Sequence, residues 1–166
     1  LEALLRSAKG YEAQIEICVL DNHSNDETPA VVRRFQSGFP IRYICHDKNI
    51  GGDRNFYEAV MVARADHVWL LGDDDLITAN AVEVVLALLD QYDLIILNYS
   101  TWNQDFSRVV MARRFGYSVG DTVKDRNVLL GRFGPYLALI SSVVFTKKYF
   151  MLVNREVYES VAYYGF

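Results

Sequence analysis

The sequence predicts one α/β domain, a mostly parallel sheet with helices on both faces. Three observations predict it. Strand-length apolar runs alternate with helix-period segments through the first hundred residues, the order of βαβ units. Each of the first three runs ends in a polar loop of turn-forming residues. A chain of 166 residues, 51% hydrophobic and 23% charged, is enough for one sizeable core, argues against disorder and makes a second domain unexpected.

Residues 1–7 (LEALLRS) have helical spacing with no methionine and no strand before them, so the expectation is either that something has been trimmed or that the sequence begins inside a larger protein. Residues 15–20 (IEICVL) are a β-branched apolar run of strand length, followed by the polar turn 21–27 (DNHSNDE). Thr28 and Pro29 read as N-cap and first residue of a helix that Gly38 ends. A second strand is expected at 41–45 and a loop at 47–52. The segment 53–65 is an amphipathic helix, with Phe56, Ala59, Val60 and Ala63 on one face and Asp53 as its cap. Residues 67–71 (HVWLL) form a third strand that runs directly into Gly72 and Asp73, Asp74 and Asp75. Thr78 is placed to cap a helix whose Val82, Val85, Leu86 and Leu89 share a face, and 94–97 (LIIL) forms a fourth short strand. Beyond Tyr99 the pattern changes. Residues 106–115 suggest an antiparallel excursion, 137–145 an apolar, late β-branched stretch, and 147–158 a helical lean.

Ligands of open parallel sheets bind beyond the carboxyl ends of the strands. The loops there are Asp21 to Asp26, Asp47 to Gly52, and Gly72 to Asp75, and all three are expected on one edge. The aspartate run is the strongest feature. Two carboxylates about 5 Å apart repel by roughly 3 kcal/mol at an effective dielectric near 20, so three in succession call for a cation. A hard Mg or Mn ion would accept these oxygens and keep positions open for substrate phosphates. The competing reading is a solvated acidic turn before a helix. In the second loop Gly51 and Gly52 allow close approach of backbone to ligand, and Arg54 could face phosphate.

Other chemistries find less support. A net charge of −4 offers no basic field, so no nucleic acid partner is expected. There is no GxGxxG or GxxxxGK[ST] pattern. His23, His46 and His67 lack the spacing of a zinc site, and His67 reads as a packing residue. Ser141 and Ser142 lack the context of an acyl-transfer nucleophile. A phosphotransfer or phosphatase reading wants a lysine after the fourth strand, where Asn98, Tyr99 and Ser100 stand. Cys18 and Cys45 read as two buried free thiols. The aromatic content of 13%, rich in tyrosine late in the chain, reads more as core than as an acceptor groove. No apolar run approaches the roughly 18 residues of a membrane span, and no secretory leader is read at Leu1.

Three segments carry a family resemblance. VLDNHSNDET (19–28) resembles the strand-end motif of inverting family 2 glycosyltransferases, NIGGDRNFYEAV (49–60) looks like that family's helix entry, and HVWLLGDDDLI (67–77) is similar to its strand and DxD segment. The form WLLGDDD is closest to the abequosyltransferase-like subgroup. The motifs fall in family order over roughly half the chain. The resemblance implies a GT-A fold, truncated at the N-terminus, with residues 1–100 as the nucleotide-sugar-binding half and 101–166 as an incomplete acceptor-side half of a single domain. It implies metal-dependent, inverting transfer of a sugar from a nucleotide-diphosphate sugar to a saccharide or lipid-linked acceptor, in bacterial surface polysaccharide (O-antigen-like) synthesis.

The resemblance carries over residue by residue. Asp21 or Asn22 would contact the base, with Ser24, Asn49, Gly52, Asp53 and Asn55 completing the nucleotide-sugar site. Asp73 would lie near the donor ribose and Asp75 on the metal, with Asp74 able to do either and Asp73 the second metal candidate, because Gly72 stands where the family often has Asp. The catalytic base has no convincing match; Glu156 and Glu159 qualify by location alone, and the chain by itself is expected to be poorly active or inactive. The rivals are a nucleotidyltransferase and a non-catalytic nucleotide-sugar-binding domain. Cytoplasmic placement is expected, at the inner face of the membrane if peripheral association runs through parts outside this chain.

Overall fold

The computed structural model describes residues 1–116 and 122–152. The order is α1 (Glu2–Ala8), β1 (Ile17–Asp21), α2 (Thr28–Gln36), β2 (Ile41–Cys45), α3 (Gly52–Val62), β3 (His67–Trp69), α4 (Ala81–Leu86) and β4 (Leu94–Ile96). Then come β5 (Thr101–Trp102), β6 (Val109–Met111), α5 (Arg126–Phe133), β7 (Val143–Thr146) and α6 (Lys147–Phe150). The expected α/β alternation holds through β4.

β1 and β2 pair in parallel from Ile17 with Ile41 to Asp21 with Cys45. β3 and β4 do not touch directly. β7 lies between them, antiparallel to both, so β3 and β4 still share a direction. Among the described strands the only parallel pairing is therefore β1 with β2. β3, β7 and β4 form a second, antiparallel sheet instead of continuing the expected mostly parallel one, because β7 inserts late and local periodicity cannot place a strand whose partners are dozens of residues away. β5 and β6 form a separate antiparallel hairpin, of which β6 falls within the excursion expected at 106–115 and β5 precedes it.

Strand alternation sorts the faces. Ile17 and Ile41 point to a core with Ala8 of α1, Val32 of α2 and Val82 of α4, joined by the half-buried Val19 and Tyr43. Cys18 and Arg42, one residue out of phase, face α3, where the Arg42 guanidinium donates to Cys18 Sγ at 2.9 Å and to the Val62 carbonyl at 2.5 Å. Helices thus cover both faces. A second cluster, Val85, Ile95 and Val144, packs α4 against β4 and β7. Val32 and Val60 are the largest fully buried side chains, each stabilising by roughly 1.5–3 kcal/mol.

The carboxyl end of α3 gathers the starts of β1 and β3 and the end of β7. Arg64 N–H donates to the carboxylate of Glu16, just before β1. Lys147 Nζ, after β7, caps the helix through the carbonyls of Met61 at 3.0 Å and Ala63 at 2.5 Å. Its backbone N–H meets the Asp66 carbonyl, just before β3, at 2.7 Å. At the other end of α3, Asn55 Nδ2 donates to the Leu20 carbonyl at the end of β1. The carboxyl ends of β1, β2 and β3 accordingly point to one rim.

Several local expectations need correction. Thr28 is the first helical residue and Glu27 the N-cap; the Asp26 carboxylate takes the Thr28 N–H at 2.9 Å. The N-cap of α3 is Gly51, whose φ of 88° suits glycine, and Asp53 instead sits in the first turn. α3 ends at Val62. Asn80 rather than Thr78 caps α4, and the Thr78 hydroxyl donates to Asn80 Oδ1. The thiols are free but not both buried. Cys18 is half-buried against Arg42, and burial pushes its thiol pKa up, while Cys45 is exposed because β2 ends there at the rim.

Candidate functional site

The first two rim loops are tied together. Asn22 Nδ2 donates to Asn49 Oδ1 at 3.1 Å, and Asn22 Oδ1 accepts the Ile50 N–H at 2.9 Å. Asn49 Oδ1 also accepts the Gly51 N–H at 2.9 Å, setting the left-handed glycine that opens α3. The His23 ring donates through Nδ1 to the His46 carbonyl, and His46 Nε2 donates to Asn55 Oδ1 at 3.0 Å. Both ring tautomers follow from the acceptors they meet. His23 holds a φ of 69°, a conformation that histidine tolerates better than most residues.

Asp21 is the anchor of this cross-linked pair. It is 3% exposed. Oδ1 accepts the Ser24 N–H at 2.7 Å and Oδ2 accepts the Tyr43 hydroxyl, whose ring reaches over from β2. Burial pushes the Asp21 carboxyl up, but the Tyr43 and Ser24 hydrogen bonds outweigh it and hold the carboxyl below its ordinary value. Tyr43 moves the other way, its phenol raised by burial and by donating to that carboxylate. Sequence reading missed Tyr43. Its signal was available in the register, since residues two apart in β2 face the same side as their β1 partners.

The turn after β3 is built differently. Asp75 N–H closes it weakly onto the Gly72 carbonyl at 3.4 Å. Ser141 holds it from below, its Oγ accepting the Gly72 N–H at 2.8 Å and its carbonyl accepting the Trp69 indole N–H at 2.9 Å. Asp73, Asp74 and Asp75 are all exposed. A Cβ placed on Gly72 would lie 2.9 Å from Asp74 Oδ1 and 3.1 Å from Asp75 Oδ2, so the two carboxylates converge over a bare glycine. None of the ion pairs seen among the described residues involves them. Sequence reading weighed Ser141 only as a nucleophile; the structure makes it the buttress of this turn.

Of the expected site residues, the structure joins Asp21, Asn22, Ser24, Asn49 and Asn55 in one hydrogen-bonded unit. Gly52 and Asp53 lie in the first turn of α3 beside it. Asp74 and Asp75 form the second unit, with Asp73 preceding them on the exposed turn. Among the described residues no set of three or more His, Cys, Asp or Glu side chains is assembled to hold a metal. Two convergent hard oxygens fit a Mg- or Mn-type ion that completes its shell with water and phosphate oxygens. Glu156 and Glu159 lie outside the described residues, as does the second half of the helical segment expected at 147–158, of which α6 forms the start.

Comparison with known proteins places this geometry in context. Residues 1–161 match the family model described as glycosyl transferase family 2. Abequosyltransferase RfbV of Salmonella typhimurium is 29% identical over 163 residues, covering 89% of this chain and 49% of that protein. An uncharacterized glycosyltransferase, the MG060 homolog of Mycoplasma pneumoniae, is 26% identical over 92 residues, covering 52% of this chain and 31% of that one. The chain spans about half or less of the curated relatives it matches. The crystal structure of S. aureus TarS 1-349 superposes with a TM-score of 0.69 at 19% identity, over 89% of this chain and 42% of that chain. Its complex with UDP gives 0.61 at 17% identity with the same coverage.

Proposed function

The chain belongs to glycosyl transferase family 2 and carries the α/β GT-A fold, and from that premise we propose that it is the donor-binding part of an enzyme that transfers a sugar from a nucleotide-diphosphate sugar to a saccharide or lipid-linked acceptor. The route is synthesis of a bacterial surface polysaccharide, a reading supported by the similarity to an abequosyltransferase. A uridine-type diphosphate ligand is supported in chemistry by the UDP complex of a structural neighbour.

One observation carries the donor assignment: the convergence of Asp74 and Asp75 over Gly72 at the rim where the loops after β1 and β2 also emerge. Asp75 and Asp74 would hold the cation, with Asp73 as the alternative second ligand or the contact to ribose. When bound, a Mg or Mn ion would supply charge neutralisation on the diphosphate leaving group. The chain's own residues do the rest of the donor work. The Asp21–Asn22–Asn49 unit shapes the nucleotide end, Asn55 ties α3 to β1, and Gly52 presents backbone without a side chain. The acceptor hydroxyl attacks the anomeric carbon opposite the diphosphate, giving inversion, and its proton passes to a carboxylate of the acceptor side.

The test is a titration of nucleoside diphosphates with and without manganese, followed by thermal shift. The parent chain is expected to gain stability from ligand only with the metal, and Asp75→Ala to lose that gain while melting at the parent temperature without ligand. Equal binding by Asp75→Ala sinks the assignment. In an active preparation the released product should be a nucleoside diphosphate; pyrophosphate would point to nucleotidyl transfer instead.

A further inference from the structure

The β5–β6 hairpin stands apart from the rest of the molecule in how it is built. Its base is clamped. Asn98 Nδ2 donates to the Phe115 carbonyl at 2.7 Å, Asn98 Oδ1 accepts the Arg114 N–H at 3.0 Å, and the Phe115 ring packs edge-on against Phe133 at 5.4 Å. Its outer part is held by bonds within the hairpin itself, Trp102 Nε1 donating to Ser100 Oγ at 2.9 Å and Asn103 Nδ2 to Ser107 Oγ at 3.0 Å. Among the described residues β5 and β6 pair only with each other, and an isolated two-stranded ribbon is marginal in water. Yet its apolar residues point outward: Trp102, Phe106, Val109 and Val110 are exposed, Val110 at 62%, and none belongs to either core cluster. Trp102 and Val109 are register partners and share one face. At the tip Phe106 holds a φ of 56°, the left-handed conformation of the turn, uncommon for a bulky side chain.

The charges around this tip are one-sided. Residues 101–114 carry three arginines against a single aspartate, in a chain whose net charge is −4. Asp105 is turned back on its own loop, accepting from the N–H and hydroxyl of Ser107 at 3.0 and 2.7 Å. Arg114 lies over the Tyr136 ring. Arg108 and Arg113 make no ion pair among the described residues. The tip thus combines a tryptophan, a phenylalanine and two valines with guanidinium groups that no carboxylate among the described residues pairs, the composition that seats at the headgroup level of an anionic bilayer.

We propose that the hairpin tip, Trp102 to Val110 with Arg108 and Arg113, docks on an anionic phospholipid surface. The apolar side chains enter the headgroup boundary and the arginines meet lipid phosphates. The clamped base transmits this contact to β4 without requiring any membrane-spanning segment; no helix among the described residues is long and apolar enough to cross a membrane. The inference does not depend on the donor assignment, since it concerns lipid binding alone.

The experiment is cosedimentation of the 166-residue chain with vesicles of phosphatidylglycerol and phosphatidylcholine, against phosphatidylcholine alone, with tryptophan emission read in acyl-brominated lipid. The chain is expected to bind the anionic vesicles and to show quenching that Trp102→Phe removes. The pair Phe106→Ser and Val110→Ser, on exposed positions that leave the circular dichroism unchanged, should weaken partitioning at least about tenfold, and Arg108→Gln with Arg113→Gln by a similar factor on anionic vesicles only. No binding, binding that these variants do not weaken, or quenching that persists in Trp102→Phe overturns the proposal. Lipid-independent self-association abolished by the tip variants, with no vesicle binding, also overturns it and assigns the face to protein.

Discussion

At the end of β1 the leading carboxylate, Asp21, is buried and both of its oxygens are taken by Tyr43 and Ser24. At the end of β3 the carboxylates of Asp74 and Asp75 stand in solvent, converging over Gly72, and no ion pair seen among the described residues involves them. Both loops are acidic and both leave the sheet at the same rim. The difference lies in what lies under them. Beneath the first is a parallel neighbour, β2, whose Tyr43 supplies a donor, and a second loop whose Asn49 locks the turn. Beneath the second is Ser141, which takes the Gly72 N–H and the Trp69 indole N–H and leaves the aspartate side chains uncommitted. Acidic residues that look alike in a sequence therefore divide into charge used by the fold and charge left over for a ligand.

That division can be broken by substitution. The largest stability effect is expected at Asp21→Ala, which takes the acceptor from the half-buried Tyr43 hydroxyl and from the Ser24 N–H and should cost about 1–3 kcal/mol in urea unfolding. A cost near zero would mean that Asp21 is as uncommitted as the aspartates after β3. Next comes the pH dependence. The folded-state carboxyl of Asp21 lies below its ordinary value, so its stabilising contribution is complete above roughly pH 4 and is lost as pH falls through the folded value. The stability difference between parent and Asp21→Asn, followed from pH 7 to pH 2, should shrink across that range, and a constant difference would contradict the assignment. The smallest effect is expected at Asp74→Asn. Relief of repulsion with Asp75 should leave stability unchanged or raise it by about 0.5 kcal/mol, while manganese-dependent nucleotide binding falls. A loss above about 1 kcal/mol would place Asp74 with the structural carboxylates instead.

Much of this fold was legible from local pattern. The strand at 41–45 was read with its observed bounds, and the helix faces built on Val60, Val82 and Val85 are the faces the molecule buries. Both signals depend on burial of one side of a regular element, which periodicity reports directly. The helix starts were less legible. Thr28, Asp53 and Thr78 each have the chemistry of a cap, but the capping position went to Glu27, Gly51 and Asn80. A shift of one or two residues changes which oxygen faces the free N–H groups, and the loop before the helix sets that shift. β7 was the hardest to foresee. Its apolar stretch was visible, but its insertion between β3 and β4 depends on pairing across roughly fifty to eighty residues.

By itself the sequence determined the alternation of strands and helices, the carboxyl-end placement of three polar loops and the presence of an acidic run beyond a buried strand. These follow from side-chain period and turn chemistry, which act between near neighbours. Only the tertiary structure decided which carboxylates are spoken for, through Tyr43 across the β1–β2 pair and Ser141 beneath Gly72. Hydrogen bonding and desolvation are set by partners close in space, and those partners lie 22 and 69 residues away along the chain.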